Sequence, residues 1–217
     1  MARKLKSKGR ILSRRSFLAA AAAAAPFAAY AQAADPRDAA DIARVEAYLE
    51  TVRTLDSRFL QIGPDGSVAE GRFLLSRPGK LRLEYDAPNP NLFVSDGNAF
   101  VHIDKRLSTI AYLPIDSTPA GVLVRNSIRL SGDVRVAAIE RSPAALRVAL
   151  IQTKDPRAGR LVLTFADRPL TLVGWSVVDA QGLVTRLTLV EPKFDAVFAA
   201  ADFTVVDPRQ RGSTDRP

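Results

Sequence analysis

The sequence predicts a mostly β protein with a few helices, in which a large antiparallel sheet of ten or eleven strands is preceded by one helix and interrupted by another. Three observations point there. From Asp56 onward apolar and polar residues alternate through most of the chain, the period of strands with one buried face. Turn signals such as Asp96-Gly97-Asn98 and Ala180-Gln181-Gly182 separate many of these runs at the close spacing of a meander. Two stretches, 35–52 and 117–126, break the rhythm and carry helix-start signals.

Asp35-Pro36-Arg37-Asp38 opens the first helix, with Asp35 as cap, proline at the first helical position and a second acid in the first turn. Ile42, Val45, Leu49 and Val52 follow at helical spacing. This helix therefore has one apolar stripe and must lie on another element. Leu81, Leu83 and Tyr85 alternate with Arg82 and Glu84, and Leu92-Phe93-Val94 faces Phe100-Val101-His102-Ile103 across the Asp96 turn. In the segment Ser117 to Asn126, Thr118 caps and Pro119 opens a short helix. Gly121 and the β-branched Val122 and Val124 weaken it, so it needs packing to persist. Leu146-Val148-Leu150, Leu161-Leu163-Phe165, Val173-Trp175-Val177 and Leu183-Val184 supply later strands. After Phe203 the tail from Asp207 to Ser213 is polar and is expected to fray. With neither repeat nor linker, residues 34–217 read as one domain whose helices cover the apolar face of the sheet.

Residues 1–33 read as a cleaved export leader. Seven basic residues and no acid precede the alanine run Ala19 to Ala25, and A-x-A sites at Ala29 to Ala33 place the mature start near Gln32 or Ala34. Ser13-Arg14-Arg15-Ser16-Phe17-Leu18 resembles the twin-arginine export signal, so the chain is expected outside the cytoplasm. The apolar stretch from Phe17 to Ala31 is shorter than the roughly 20 residues of a spanning helix, and Pro26 interrupts it. Without the leader 24 basic residues stand against 23 acidic ones. The high isoelectric point thus belongs to targeting, and no basic cluster suited to nucleic acid remains. Cysteine is absent, which excludes disulfides, thiolate metal sites and a thiol nucleophile. A mature chain of about 185 residues is long enough to bury one core without such staples.

Glu70-Gly71-Arg72-Phe73-Leu74-Leu75-Ser76-Arg77-Pro78-Gly79-Lys80-Leu81-Arg82-Leu83-Glu84-Tyr85, followed by Val94-Ser95-Asp96-Gly97-Asn98, resembles the central signature of the periplasmic outer-membrane lipoprotein carrier family (LolA type). The segment from Thr118-Pro119 through Val122, Leu123 and Val124 to Arg125-Asn126 resembles that family's lid helix. The resemblance implies an unclosed antiparallel β-barrel capped by short lid helices. It also implies a cavity that takes the acyl chains of lipoproteins released by an inner-membrane ABC transporter, for delivery to an outer-membrane acceptor or to the outer membrane itself. By the same resemblance Arg77 is a latch that bonds lid carbonyls near Val122 to Arg125, and the candidate cavity lining is Phe73, Leu81, Leu83, Phe93, Phe100 and Trp175. Leu81 stands where some relatives have a phenylalanine. A monomer without cofactor or metal is expected.

On the residues alone, Arg77 beside Pro78 is a solvated strand-end arginine, and Phe59, Phe73, Phe93, Phe100, Phe165 and Trp175 are ordinary core. The single histidine, His102, has neither a metal set nor a triad around it in the sequence. Ser95 and Ser108 lack a G-x-S-x-G setting, and Glu84 and Asp86 read as solvated charges. No enzyme activity is expected. The alternatives to a lipoprotein carrier are a periplasmic lipid or lipoprotein sensor or regulator on the same fold, a carrier of another lipidic cargo, and a hydrolase dependent on His102.

Overall fold

The computed structural model describes residues 35–114 and 120–207. Arg14 and Arg15 of the leader, Thr118 and Pro119 of the lid segment, and the tail from 208 lie outside the described residues. Helix α1 runs Pro36–Thr51 and is capped as its sequence demands, the Asp35 carboxylate accepting the Arg37 backbone N–H at 2.9 Å. Strands β1 (Thr54–Ile62), β2 (Val68–Ser76), β3 (Lys80–Tyr85), β4 (Asn91–Asp96), β5 (Phe100–Asp104) and β6 (Thr109–Leu113) follow. The five-residue helix α2 (Ala120–Val124) leads to β7 (Val134–Arg141), β8 (Ala145–Gln152), β9 (Gly159–Ala166), β10 (Thr171–Asp179) and β11 (Val184–Phe194). A 3-10 turn, Ala200–Phe203, closes the described chain.

All eleven strands form one antiparallel sheet in the order β6-β5-β4-β3-β2-β1-β11-β10-β9-β8-β7. Two meanders, β1 to β6 and β7 to β11, are joined by the β1–β11 ladder, in register from Leu55 opposite Phe194 to Ile62 opposite Arg186. The free edges are therefore β6 and β7, which are consecutive in the chain. Whatever joins them must pass across the open side of the sheet, and that connection contains α2. The open barrel and its crossing helix are thus one topological fact.

Curvature comes from the residues. Bulges in β11 opposite Asp56/Arg58, at Leu172/Gly174 in β10 and at Val136/Ala138 in β7 bend the strands. Gly71 makes room for the β3 backbone and the Phe59 ring: a Cβ there would lie 2.1 Å from the Glu84 carbonyl oxygen and 2.6 Å from that ring. Gly71→Ala is accordingly expected to cost about 3 kcal/mol or more, as overpacking in a core does. Urea unfolding checks this, and an unchanged midpoint would contradict the close packing.

The main core lies on the concave face. Val45, Leu49 and Val52 of the α1 region pack with Phe59, Leu146, Val148, Leu163 and Phe165, and with Val122, Leu123 and Val124 of α2. A second, smaller core lies on the convex face, where Leu92, Val94, Val101 and Ile103 pack with Ile110 and Val205. Phe203 is buried and Val205 packs with this cluster, because the outward residues of β4 to β6 are apolar and need cover.

Candidate functional site

Alternation along the strands places one set of side chains on the concave face, and part of that set leaves a space unfilled. An apolar cavity of about 290 Å³ is lined by Phe73, Leu81, Leu83, Phe93, Phe100, Leu113, Trp175, Val177 and Leu187, with Gln61, Tyr85 and Thr185 as its polar members. All six residues put forward from pattern and resemblance are among them. Phe73, Leu83 and Phe93 form a cross-strand row on β2, β3 and β4. Phe73 meets Trp175 edge to face at 5.2 Å, joining the two sides of the cavity. By contrast Phe59 and Phe165, which the sequence could not separate from these, do not line the cavity. Phe100 and Leu113 also line a second space of about 550 Å³ that reaches Val124, Arg125 and Asn126 beside α2. The apolar cavity therefore leads toward the crossing helix.

Arg77 directly follows β2 at the junction of α1 and the segment after α2, with its side chain only 1% exposed. The guanidinium donates from Nε to the Arg125 carbonyl at 2.7 Å and from Nη2 to the Asn126 carbonyl at 3.0 Å. Nη1 donates to the carbonyls of Leu49 at 2.7 Å and Val52 at 3.2 Å, and Nη2 also reaches the Glu50 carboxylate at 3.1 Å. The reading of a solvated arginine is overturned. Arg125 lies within the expected span Val122 to Arg125 and Asn126 one residue beyond it, while the acceptors at the C-terminal end of α1, where the helix dipole favours a cation, were not expected. Two residues past Arg77, the β2–β3 turn adds a bond of its own, Gly79 N–H to the Val124 carbonyl at 2.8 Å. Ser95, buried on β4, braces that turn through its hydroxyl to the Gly79 carbonyl at 2.5 Å.

Sequence reading missed the other half of this fastening. Glu46 and Glu50 stand one turn apart on α1, and their only signal was that spacing on a polar helix face. Glu50 accepts the Ile128 backbone N–H at 2.6 Å and the Ser127 hydroxyl at 3.1 Å, while Glu46 accepts the Leu130 N–H at 2.7 Å. Helix α1 is itself fixed to the sheet: Arg141 of β7 reaches Asp38 and Asp41 at 2.6 Å each, Arg44 reaches Asp167 at 2.7 Å, and the Tyr48 hydroxyl accepts the Leu172 N–H at 3.0 Å. The site thus pairs an anchored helix with a short helix held by a few bonds at its C-terminal end.

The Ile128 N–H, with the Ser127 hydroxyl and the Arg77 guanidinium, lowers the Glu50 carboxyl below its ordinary 4.5, against partial desolvation. Its contribution to the closed arrangement is therefore complete above the range where an unfolded-chain glutamate titrates, and is lost as pH falls through the depressed value. Glu50→Gln is expected to melt below wild type at neutral pH, with the gap closing as the pH falls below the ordinary glutamate range and through that depressed value. Thermal melts of both proteins across that range check this, and a constant gap would contradict it.

The remaining candidates have structural partners. His102 stacks on Phe93 at 4.4 Å and its Nε2 lies 2.6 Å from the Asn91 side-chain oxygen. Glu84 and Asp86 are not merely solvated: Glu84 bonds Arg82 and Lys105, and Asp86 bonds Arg58. Among the described residues no group of three potential metal ligands occurs.

A curled sheet with an apolar cavity on its inner face, covered on its open side by a fastened helix, is a container with a cover. The chain belongs to the LolA family: the family described as outer membrane lipoprotein carrier protein LolA matches residues 50–206. An outer-membrane lipoprotein carrier protein of Pseudomonas syringae pv. tomato is 28% identical over 181 residues, covering 79% of this chain and 86% of the relative. One from Pseudomonas aeruginosa UCBPP-PA14 is 29% identical over 176 residues, covering 77% and 84%. Among solved structures, a LolA superfamily protein from Nitrosomonas europaea aligns with a TM-score of 0.44 at 10% identity, covering 76% of this chain and 97% of that one. MucB, solved in complex with MucA, aligns with a TM-score of 0.40 at 14% identity, covering 79% and 61%.

Proposed function

We propose that this protein is a periplasmic carrier that holds the acyl chains of lipoproteins in the concave cavity and moves them from the inner to the outer membrane. The observation that carries this reading is the uncharged cavity lined by Phe73, Leu81, Leu83, Phe93, Phe100 and Trp175. Family membership and the names of the relatives support the cargo, and the leader supports the compartment. Its partners are lipoproteins, an inner-membrane releasing ABC transporter, and an outer-membrane acceptor or that membrane itself; the carrier works as a monomer. A hydrolase is disfavoured because His102 is engaged by Phe93 and Asn91.

The energetics fit a carrier. Lipid chains resist exposure to water at about 0.8 kcal/mol per CH₂, so free diffusion of a lipidated protein is excluded. A cavity of about 290 Å³ stands at the bottom of the roughly 300 to 1,000 Å³ range of ligand pockets, too small for several chains. Loading therefore displaces the cover. Val122, Leu123 and Val124 of α2 are buried at 4% exposure each, and burial of such a side chain contributes roughly 1.5 to 3 kcal/mol. Acyl chains take over the apolar surface that these residues leave, while the bonds from Arg77 and Gly79 form only when the cover is shut. Closure then offsets part of the lipid affinity and keeps transfer nearly level. A lipoprotein carrying its lipid should form a soluble one-to-one complex with the protein on size exclusion, and the same lipoprotein without lipid should not. Equal binding of both would mean that another surface is recognised.

A further inference from the structure

The cavity wall is not uniform. On β2 to β6 it consists of hydrocarbon and aromatic rings, with the Tyr85 hydroxyl donated to the Gln61 side-chain oxygen at 2.7 Å. That bond leaves the amide NH₂ of Gln61 as its free end. On β1, β10 and β11 three half-buried lining residues carry polar groups without a hydrogen-bond partner among the described residues, and none of these groups is sealed from solvent: this amide NH₂, the indole N–H of Trp175 and the hydroxyl of Thr185. They share one region. Leu187 is the cross-strand partner of both Gln61 and Trp175, and Thr185 lies one repeat further along the same face of β11.

Water reaches these donors in the empty protein, and a ligand that displaces it from an apolar space must bring acceptors of its own. Two of the three groups are donors only, and the third can donate. No charged side chain lines the cavity, so a carboxylate or phosphate would find no cation there. An ester carbonyl is the matching chemistry: neutral, acceptor-only, and attached directly to hydrocarbon. We propose that Gln61, Trp175 and Thr185 form a subsite for the ester carbonyls of a diacylglyceryl group. The ester linkages then lie on the wall made by β1, β11 and β10, and the chains run along the wall made by β2 to β6. This rests on the carrier reading above and deepens it by naming the linkage recognised and the orientation of the lipid.

Two synthetic lipopeptides test it, built on the same cysteinyl-glyceryl peptide, one with two ester-linked palmitoyl chains and the other with two ether-linked hexadecyl chains. Their affinities are measured by displacement of a fluorescent fatty acid. The wild-type protein binds the ester form about tenfold more tightly, the effect of one or two neutral hydrogen bonds. Trp175→Phe with Thr185→Val weakens the ester form more than the ether form, so the ratio moves toward one whatever the change in apolar contact costs both. Equal wild-type affinity for the two lipopeptides overturns the subsite while the carrier reading stands, and a preference that persists in the double variant overturns its assignment to these residues. If neither lipopeptide binds, the carrier reading fails and the subsite with it.

Discussion

Arg77→Leu is expected to leave a folded protein that accepts lipoprotein and releases it poorly, so that loaded carrier accumulates and outer-membrane delivery falls. The side chain donates to carbonyls after α2, to carbonyls at the end of α1 and to Glu50. Bonds from a charged donor contribute about 1.5 to 3 kcal/mol each. Losing two without replacement shifts the cover toward open by roughly a hundredfold. The fold should survive, because α1 keeps its separate attachments through Arg141, Arg44 and Tyr48. Lysine should not rescue, since a compact ammonium cannot reach acceptors on both sides of the planar fork. A transfer assay from inner-membrane vesicles to outer-membrane acceptor checks the outcome. Normal loading with normal unloading would remove the latch role, and an unfolded variant would return Arg77 to a structural one.

Leu83→Glu is expected to abolish acyl binding while sparing the fold. Leu83 sits between Phe73 and Phe93 in the row that faces the cavity and is only half-buried, so an empty cavity can hydrate the new carboxylate. A cavity filled with hydrocarbon cannot. Desolvating an unpaired carboxylate costs several kcal/mol, which corresponds to a loss of affinity of roughly two powers of ten or more. Leu83→Met, similar in volume and apolar, should bind normally. Displacement of a fluorescent fatty acid measures both variants, and unchanged affinity in Leu83→Glu would place the lipid elsewhere.

Local chemistry made much of this fold legible. Asp35 and Pro36 start α1 where expected, the Asp96 turn joins β4 to β5, and strand alternation puts the six candidate lining residues on one face. What stayed hidden depends on long-range pairing. Nothing local reveals that β1 pairs with β11, the ladder that leaves β6 and β7 as the edges and sends α2 across the opening. Glu46 and Glu50 bond segments about 80 residues away, so alone they look like any polar helix face. Gln61 and Thr185 look like ordinary polar strand residues until the sheet curls and brings Phe73 and Phe93 opposite them. Phe59 and Phe73 differ in role because one lies over Gly71 and the other beside Trp175.

The central claim is that the closed cover and the acyl chains compete for the same space, and a distance across the cover tests it most directly. The chain has no native cysteine, so Asn98→Cys in the β4–β5 turn and Asn126→Cys just past α2, both exposed positions beside the space that leads to the cavity, accept spin labels cleanly. The account predicts one short distance in the empty protein, replaced by a longer one when the ester-linked lipopeptide saturates it, and a longer one without lipid when Arg77→Leu is added. A distance that stays the same with lipopeptide bound in the cavity would contradict it.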